Sequence, residues 1–194
     1  MNFRENRKQL AVVASLMAIL TVAMTSTARQ EKPAAQSPPA NPGAAEMQRL
    51  KFYVGEWQYT EEYPKSPLFP NGGKNTGIYT SKLGPGGNSL INTFHSQGPA
   101  GDFEGLIVMT WDPKEKTYKE YFFADQFPGA VVESGAFEGD ALVYRLEFPA
   151  GGHTVKLRNT TRLISPDKLE SEQYSSKGDG PETLIVHVSA TRKN

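Results

Sequence analysis

The chain has no cysteine among its 194 residues. This absence excludes disulfides, thiol nucleophiles, thiolate metal sites and a lipid-modified N-terminal cysteine. Histidine is almost as scarce: only His95, His153 and His187 occur, and no two have the short spacing that places two metal ligands on one element. No metal site is therefore predicted, and the fold must be held by its core alone.

An excess of charge is also missing, because 21 basic residues balance 21 acidic ones. Residues 1–28 hold three of the basic residues and one of the acidic ones, so the remainder carries a charge near −2. Such a chain lacks the basic footprint that nucleic acid or an acidic membrane surface requires. Neither is expected as a partner, and the sequence leaves the oligomeric state open.

Long apolar runs are absent apart from residues 10–22. Basic residues precede this run within residues 4–8, and the small residues 26–28 follow it, which is the three-part pattern of a secretory signal. The run is shorter than the about 20 residues of a membrane span, and a retained single-span anchor is the alternative. We expect a signal peptide over residues 1–28 and an exported protein, periplasmic or extracellular, without stable membrane insertion after cleavage.

Residues 29–45 are rich in proline, alanine, glutamine and serine and hold little apolar surface, which predicts a disordered tether. The remaining residues, 46–194, have the length of one ordinary domain with a sizeable core.

Within that domain, apolar and polar residues alternate with period 2 between glycine, proline, asparagine and aspartate. The alternation predicts ten strands, over residues 56–63, 75–83, 89–97, 103–111, 117–125, 130–138, 141–148, 154–165, 168–176 and 182–192. A short helical pattern over residues 46–52 precedes them. Gly55 then allows a sharp turn, and Trp57 is placed to plug the narrow end of a barrel.

Ten successive strands with short turns and no crossover helix predict an all-β fold, namely a single antiparallel up-and-down barrel with a short N-terminal helix over one end. An open sandwich is the alternative, but it would leave long strand edges exposed. Residues 106–111, in the fourth strand, are almost wholly apolar and are expected to be covered on both faces. The ninth strand is polar on both faces, which indicates that the interior of the barrel holds water.

Several motifs resemble those of the domain of unknown function 1579 family, whose members are bacterial, often secreted proteins without an established activity. They are the segments 50–57, 104–113, 118–123 and 135–139. More distantly, Gly55-Glu56-Trp57 is similar to the start of lipocalins and other calycins. That similarity implies a barrel that encloses a small apolar ligand, although a fold does not by itself imply a function.

The last strand also resembles that of nitrobindin-type haem barrels, in which a late histidine binds iron. Only His187 would transfer, and this chain departs from that pattern after Trp57, where those barrels have further glycines. The alternation places His187 opposite the apolar face of its strand, outside the barrel unless a bulge reverses the register. A haem protein is therefore kept as an alternative.

The aromatic inventory indicates a binding protein, because tyrosine hydroxyls need partners once buried. The alternative for each of these aromatic residues is that it only fills the core. We expect a small apolar or amphipathic ligand and no cofactor. The expected lumen residues are Trp57, Tyr59, Tyr79, Phe94, Tyr144 and Arg192. Catalysis is less favoured, since no Gly-x-Ser-x-Gly elbow occurs and strand carboxylates are usually solvent-exposed, but an envelope enzyme is a competing class.

Closure of the barrel makes one contact predictable. In an antiparallel meander with an even number of strands, the last strand pairs with the first, which sets Arg192 beside Trp57. A cation–π contact between the guanidinium and the indole is then expected. The alternative is an Arg192 side chain that frays into solvent at the end of the last strand.

Overall fold

The computed structural model of the protein describes residues 43–66 and 69–193. The predicted signal peptide, and the tether up to residue 42, lie outside these residues.

The described chain begins with a short helix, α1 (Ala44–Arg49), that continues into a 3-10 turn, Leu50–Tyr53. This unit, which we call the cap, begins two residues before the predicted helix. Its apolar residues recur on one face: Met47, Leu50 and Tyr53 are all buried. The spacing of three residues explains why they share a face and why the cap packs on an apolar surface.

Ten strands follow: β1 (Gly55–Tyr63), β2 (Gly73–Leu83), β3 (Ser89–Gln97), β4 (Phe103–Asp112), β5 (Thr117–Ala124), β6 (Phe127–Glu138), β7 (Ala141–Ala150), β8 (His153–Ser165), β9 (Lys168–Lys177) and β10 (Thr183–Arg192). Each pairs antiparallel with its neighbours in sequence, and β10 pairs with β1 to close the barrel. The predicted all-β antiparallel barrel is therefore confirmed. The largest boundary difference is at β6, which begins three residues earlier than predicted.

Tight turns join the strands because side chains in the loops satisfy free backbone groups. Between β4 and β5, the Asp112 carboxylate accepts hydrogen bonds from the amides of Lys114 (2.9 Å) and Glu115 (3.0 Å). These bonds hold the pKa of Asp112 below its usual range, the bond from Glu115 being the larger cause. The Asp-Pro turn predicted here is thus a hairpin with a defined local mechanism.

The strand expected to be most buried is not. Within residues 106–111 only Met109 is buried, and its neighbours are partly exposed. The prediction was wrong because alternate residues of β4 face outward whatever their polarity. Strand β7 is instead buried on both faces at its start, where Ala141, Leu142, Val143 and Tyr144 are each at most 4% exposed.

Candidate functional site

The interior of the barrel is packed at one end and partly exposed along one side of the other. Near the cap, the inward-facing residues are buried: Trp57, Tyr59, Leu90, Met109, Tyr118, Leu142, Leu169 and Ala190. The opposite end, which we call the mouth, has two different sides. On β1, β2 and β3 the inward-facing Tyr63, Asn75 and Ser96 are buried. On β8, β9 and β10 the inward-facing residues are partly exposed: Val155, Leu157, Asn159, Gln173, Ser175 and Val186. The barrel is therefore a cup with an aromatic floor and with a wall that is polar along β9, as the two-sided polarity of that strand indicated.

The cap is fastened to this floor by polar bonds as well as apolar contacts. The Trp57 indole N–H donates to the carbonyl of Tyr53 at 2.8 Å. The Tyr118 hydroxyl donates to the Glu46 carboxylate at 2.7 Å, which lowers the pKa of Glu46. The Arg49 guanidinium lies 3.9 Å from the centre of the Phe137 ring. These contacts fix the orientation of the short helix.

Arg192 closes the seam between the first and last strands. Its guanidinium carbon lies 4.2 Å from the centre of the Trp57 ring, so the predicted cation–π contact is present. The same group donates to the carbonyls of Val54 (2.6 Å) and Phe52 (3.0 Å) and to the Asp167 carboxylate (3.1 Å). Arg192 therefore serves the closed end of the cup rather than the accessible part of its lumen.

Three of the predicted lumen aromatics lie over glycines on adjacent strands. Tyr59 covers Gly77, Phe94 covers Gly105, and Tyr144 covers Gly135, each so closely that a Cβ on the glycine would clash with the ring. Glycines in strands allow the sharp bending that a barrel wall needs, and an aromatic ring fills the space that the missing side chain leaves. These rings shape the wall, whatever else they contact.

Tyr79 completes the predicted set and lies against the floor. Its ring stacks on Trp57 with 5.8 Å between centroids and lies 6.0 Å from Tyr59. Its buried hydroxyl has no hydrogen-bond partner among the described residues. Burial raises the pKa of this phenol far above its usual value, so the hydroxyl stays protonated at neutral pH. It can therefore donate a hydrogen bond to a group in the lumen.

A pair of buried carboxyl groups, missed from the sequence, lies on β5 and β6 and faces the interior of the barrel. Glu120 of β5 and Glu133 of β6 are directly opposite partners, and each is 6% exposed. Burial, with the neighbouring Glu133 as second cause, raises the pKa of Glu120 to about 8. Burial raises the pKa of Glu133 to about 7. The available signal was the alternation itself, which places Glu120 between the inward-facing Tyr118 and Phe122.

Further polar atoms of inward-facing side chains are buried without a partner in the described chain. They are one carboxyl oxygen of Glu133, the hydroxyls of Tyr79, Tyr144 and Ser81, and the side-chain oxygen of Asn92. A buried polar group that lacks a hydrogen bond costs about 1–3 kcal/mol. Such groups are uncommon in native interiors, and several around one lumen indicate a surface built to meet polar atoms that the chain does not itself supply.

Nearer the mouth, by contrast, polar side chains satisfy one another. The Glu61 carboxylate accepts hydrogen bonds from the hydroxyls of Ser96 (2.7 Å) and Tyr63 (2.8 Å). Asn75 donates to the carbonyl of Gly101 (2.8 Å) and accepts from the amide of Ala100 (3.0 Å). This network ties the loop between β3 and β4 to the rim and is structural.

The wall opens beside Glu133, because β6 and β7 are paired over only part of their length. Their register runs from Glu138↔Ala141 to Ser134↔Arg145 and stops there. Beyond that point β6 pairs only with β5, and β7 only with β8. Val132 and Phe148, on the two sides of this opening, are 42% and 37% exposed. Glu133 is therefore the first residue of β6 past the end of the ladder.

The structure places His187 on the outer face of β10, opposite Glu62 of β1 and Glu172 of β9. A bulge does occur in β10, but it lies before His187, between Leu184 and Val186, and leaves the histidine outside. His187 is therefore not placed to bind the iron of a haem inside the barrel. Within residues 43–66 and 69–193, no three histidine, aspartate or glutamate side chains gather in a group that could hold a metal ion.

Two concavities lie on the outer surface. The larger, about 590 Å³, covers the Gly77 bend and is bordered by polar residues of β1, β2, β3 and β10. The smaller, about 460 Å³, lies over the Gly105 bend between β3, β4 and β5. Both are open hollows that accompany the two strand bends.

Comparison with known protein families identifies the family to which this barrel belongs. A family model described as "Protein of unknown function (DUF1579)" matches residues 42–192, which is the cap and all ten strands. The chain belongs to the DUF1579 family. The resemblance seen in the sequence motifs is therefore confirmed. A comparison with curated proteins finds no match.

The DUF1579 barrel is similar to several solved structures at low sequence identity. The crystal structure of Rv2717c from M. tuberculosis is 13% identical, with a TM-score of 0.54 over 76% of this chain and 97% of that one. A phycobiliprotein lyase from Guillardia theta is 11% identical, with a TM-score of 0.49 over 77% and 92%. A designed fluorescence-activating β-barrel is 14% identical, with a TM-score of 0.41 over 79% and 100%. At these identities the likeness concerns fold alone.

In the described part of the DUF1579 chain, no helix has the length and apolar character needed to cross a membrane.

Proposed function

We propose that this DUF1579 protein is an exported binding protein whose barrel holds a small amphipathic molecule. The observation that carries the proposal is the cup itself: a packed aromatic floor, an inner wall that is partly exposed along β8, β9 and β10, and buried inward-facing polar atoms that lack partners in the described chain. Apolar area on the floor and wall would supply affinity, and a few well-placed polar groups would orient the ligand, as is usual in small-molecule sites.

The expected ligand residues divide into two roles on this proposal. Tyr79 and Tyr144 present unpartnered hydroxyls and would contact the ligand directly. Trp57, Tyr59 and Phe94 would act mainly by shaping the lumen, because they are engaged with the cap or with the strand glycines. Arg192 would act only by holding the closed end together.

The test begins with protein purified from its own host. We expect native mass spectrometry to show a bound species of small mass, and mass spectrometry of a denatured extract to identify it. An absorption spectrum of the same sample tests the haem alternative, since a bound haem would give a Soret band.

A pair of matched variants locates the bound molecule. Ser175 faces the lumen at the mouth, whereas Ser189 faces outward on β10, and both are partly exposed. We expect Ser175→Trp to lose the co-purified molecule because the indole fills the lumen, and Ser189→Trp to retain it. An empty wild-type barrel in every preparation, or a molecule that Ser175→Trp retains, would contradict the proposal.

A further inference from the structure

The Glu120–Glu133 pair is a buried acidic site without a basic partner. The two residues are directly opposite on adjacent strands, a position in which Cβ atoms are about 5 Å apart. Within the described residues, no salt bridge joins either carboxylate to a lysine, arginine or histidine. Two like charges this close repel each other, and burial penalises each of them. Burial and mutual repulsion therefore both disfavour the ionised forms of Glu120 and Glu133.

Other buried polar atoms near the pair also lack hydrogen-bond partners. One oxygen of Glu133 and the hydroxyl of Tyr144, which is 3% exposed, are both buried without a partner. Tyr144 lies on β7 as the partner of Gly135, two residues along β6 from Glu133, and both carboxyl groups help to raise the pKa of its phenol. Unpartnered polar atoms of two neighbouring strands thus lie near the end of the β6–β7 ladder.

Resting on the proposed function, we propose that Glu120 and Glu133 anchor the cationic group of the ligand, a protonated amine or amidinium, on an otherwise apolar body. The cation would lie against the two carboxylates and donate to Glu133 and to the Tyr144 hydroxyl. The apolar body would extend along the inward-facing Phe122, Val131 and Leu146 towards the opening between β6 and β7.

A cation suits this site better than a neutral or anionic group for an electrostatic reason. When the carboxyls ionise they become pure acceptors, and an ammonium or amidinium supplies both the charge and the donors that two adjacent carboxylates lack. An alcohol supplies one donor and no charge. A carboxylate ligand would add a third negative charge to a buried site.

Binding should therefore release protons. The other titratable groups that face the pair are Tyr53 of the cap, Tyr118 of β5 and Tyr144 of β7, and burial raises the pKa of all three. The phenols stay neutral across the physiological range, so the two carboxyls alone titrate there. Because the free pair holds its protons more firmly than ordinary glutamates do, a cation must displace them.

The experiment uses three probes of one shape: phenylbutylamine, phenylbutanol and phenylbutyrate. Isothermal titration calorimetry of the whole mature protein, in two buffers of different ionisation enthalpy, gives the affinity and the number of protons released. We expect the amine to bind at least about tenfold more tightly than the alcohol, as hydrogen bonds to charged groups allow. Its affinity should fall about tenfold per pH unit for each proton displaced as the pH drops below about 7.

Glu133→Gln and Glu120→Gln keep the shape of the side chain and remove the charge. We expect each to reduce amine affinity about tenfold or more, towards that of the alcohol, and to lower the number of protons released, because only one carboxyl group of the pair remains to release a proton. Glu104→Gln, on the exposed side of β4, is the matched control and should change amine affinity by less than about twofold. Tyr144→Phe, which removes a hydroxyl that has no partner, should weaken the amine without unfolding the protein.

The outcomes separate the two proposals. Equal binding of amine, alcohol and carboxylate, with no effect of Glu133→Gln, would overturn the cation site and leave a binding protein. If no probe binds and a neutral or acidic molecule is recovered from the host-purified protein, the cation site is again overturned and the binding protein is retained. Failure of every probe together with an empty host-purified protein would overturn both.

Discussion

The guanidinium of Arg192 lies 4.2 Å from the centre of the Trp57 ring, although the two residues are 135 positions apart in the chain. Their backbones are direct partners in the β1–β10 ladder that closes the barrel. The guanidinium of Arg192 also donates hydrogen bonds to the carbonyls of Val54 and Phe52, and these bonds join the end of the cap to the last strand. Four predictions concern this architecture, and a fifth concerns the N-terminus.

Arg192→Ala should destabilise the protein by about 2–4 kcal/mol, because it removes charge-assisted bonds to partly buried carbonyls together with the indole contact. Combined with Trp57→Phe, the losses should be non-additive by roughly 0.5 kcal/mol or more, measured by urea unfolding. Arg162→Ala, at an exposed arginine of β8, is the control and should cost less than about 0.5 kcal/mol. Strictly additive losses would show that the contact carries no coupling energy.

Gly77→Ala and Gly135→Ala should each cost about 2–4 kcal/mol, since the new methyl group meets both the backbone of the next strand and the ring of Tyr59 or Tyr144. Gly178→Ala is the matched control. It has a left-handed φ of 53°, but nothing lies within 4 Å of its Cβ position, so it should cost only about 1–2 kcal/mol. Thermal melting compares the three, and equal costs would mean that the ring–glycine contacts do not hold the wall.

Removal of the cap should be far more damaging than removal of the tether. A chain beginning at Glu46 keeps Met47, Leu50 and Tyr53, whose burial is worth about 1.5–3 kcal/mol each as an upper estimate. A chain beginning at Gly55 loses all three and should melt at a much lower temperature or fail to fold. Equal melting temperatures for the two would show that the cap is dispensable.

Stability should fall as the pH rises through the range set by the carboxyl pair. The folded protein holds protons on Glu120 and Glu133 up to a pKa of about 8 and about 7, whereas the unfolded chain releases them near 4.5. Between these values the native state binds more protons than the unfolded state, so its stability decreases with pH and the loss is complete above about 8.

Glu133→Gln isolates this effect because it cannot ionise. We expect the variant to be more stable than the wild type above pH about 8, by up to about 3 kcal/mol, and to match it near pH about 4. Urea unfolding at a series of pH values measures the difference. A difference that does not change with pH would mean that the buried glutamate is not protonated in the native state.

The mature chain should begin near Arg29. N-terminal sequencing of protein from the host decides this prediction, which rests on the three-part pattern of the first 28 residues. An intact Met1 on protein in the membrane fraction would instead identify residues 10–22 as an anchor.

Much of the fold could be predicted from the sequence because strand alternation is a local property. The ten strands, their turns and the helix before Gly55 all follow from patterns within about ten residues, and closure then sets Arg192 beside Trp57. The outward orientation of His187 is local in the same sense, since the bulge in β10 falls before it.

The candidate site could not be predicted in the same way. Alternation assigns Glu120 and Glu133 to one face of their own strands, but only the β5–β6 register makes them direct partners, and only closure buries them. The sequence also contains no sign that the β6–β7 ladder stops at Ser134, because strand splay depends on the bending of the whole wall.

By itself, then, the sequence determined the order of the elements, the inward and outward sets of each strand, and membership of the DUF1579 family. The tertiary structure decided which inward residues are packed and which remain accessible. It also decided that Tyr59, Phe94 and Tyr144 lie over glycines, and that two acids share one buried wall. The physical reason is that periodicity is a property of single strands, whereas burial and pairing depend on the register between strands and on closure of the sheet.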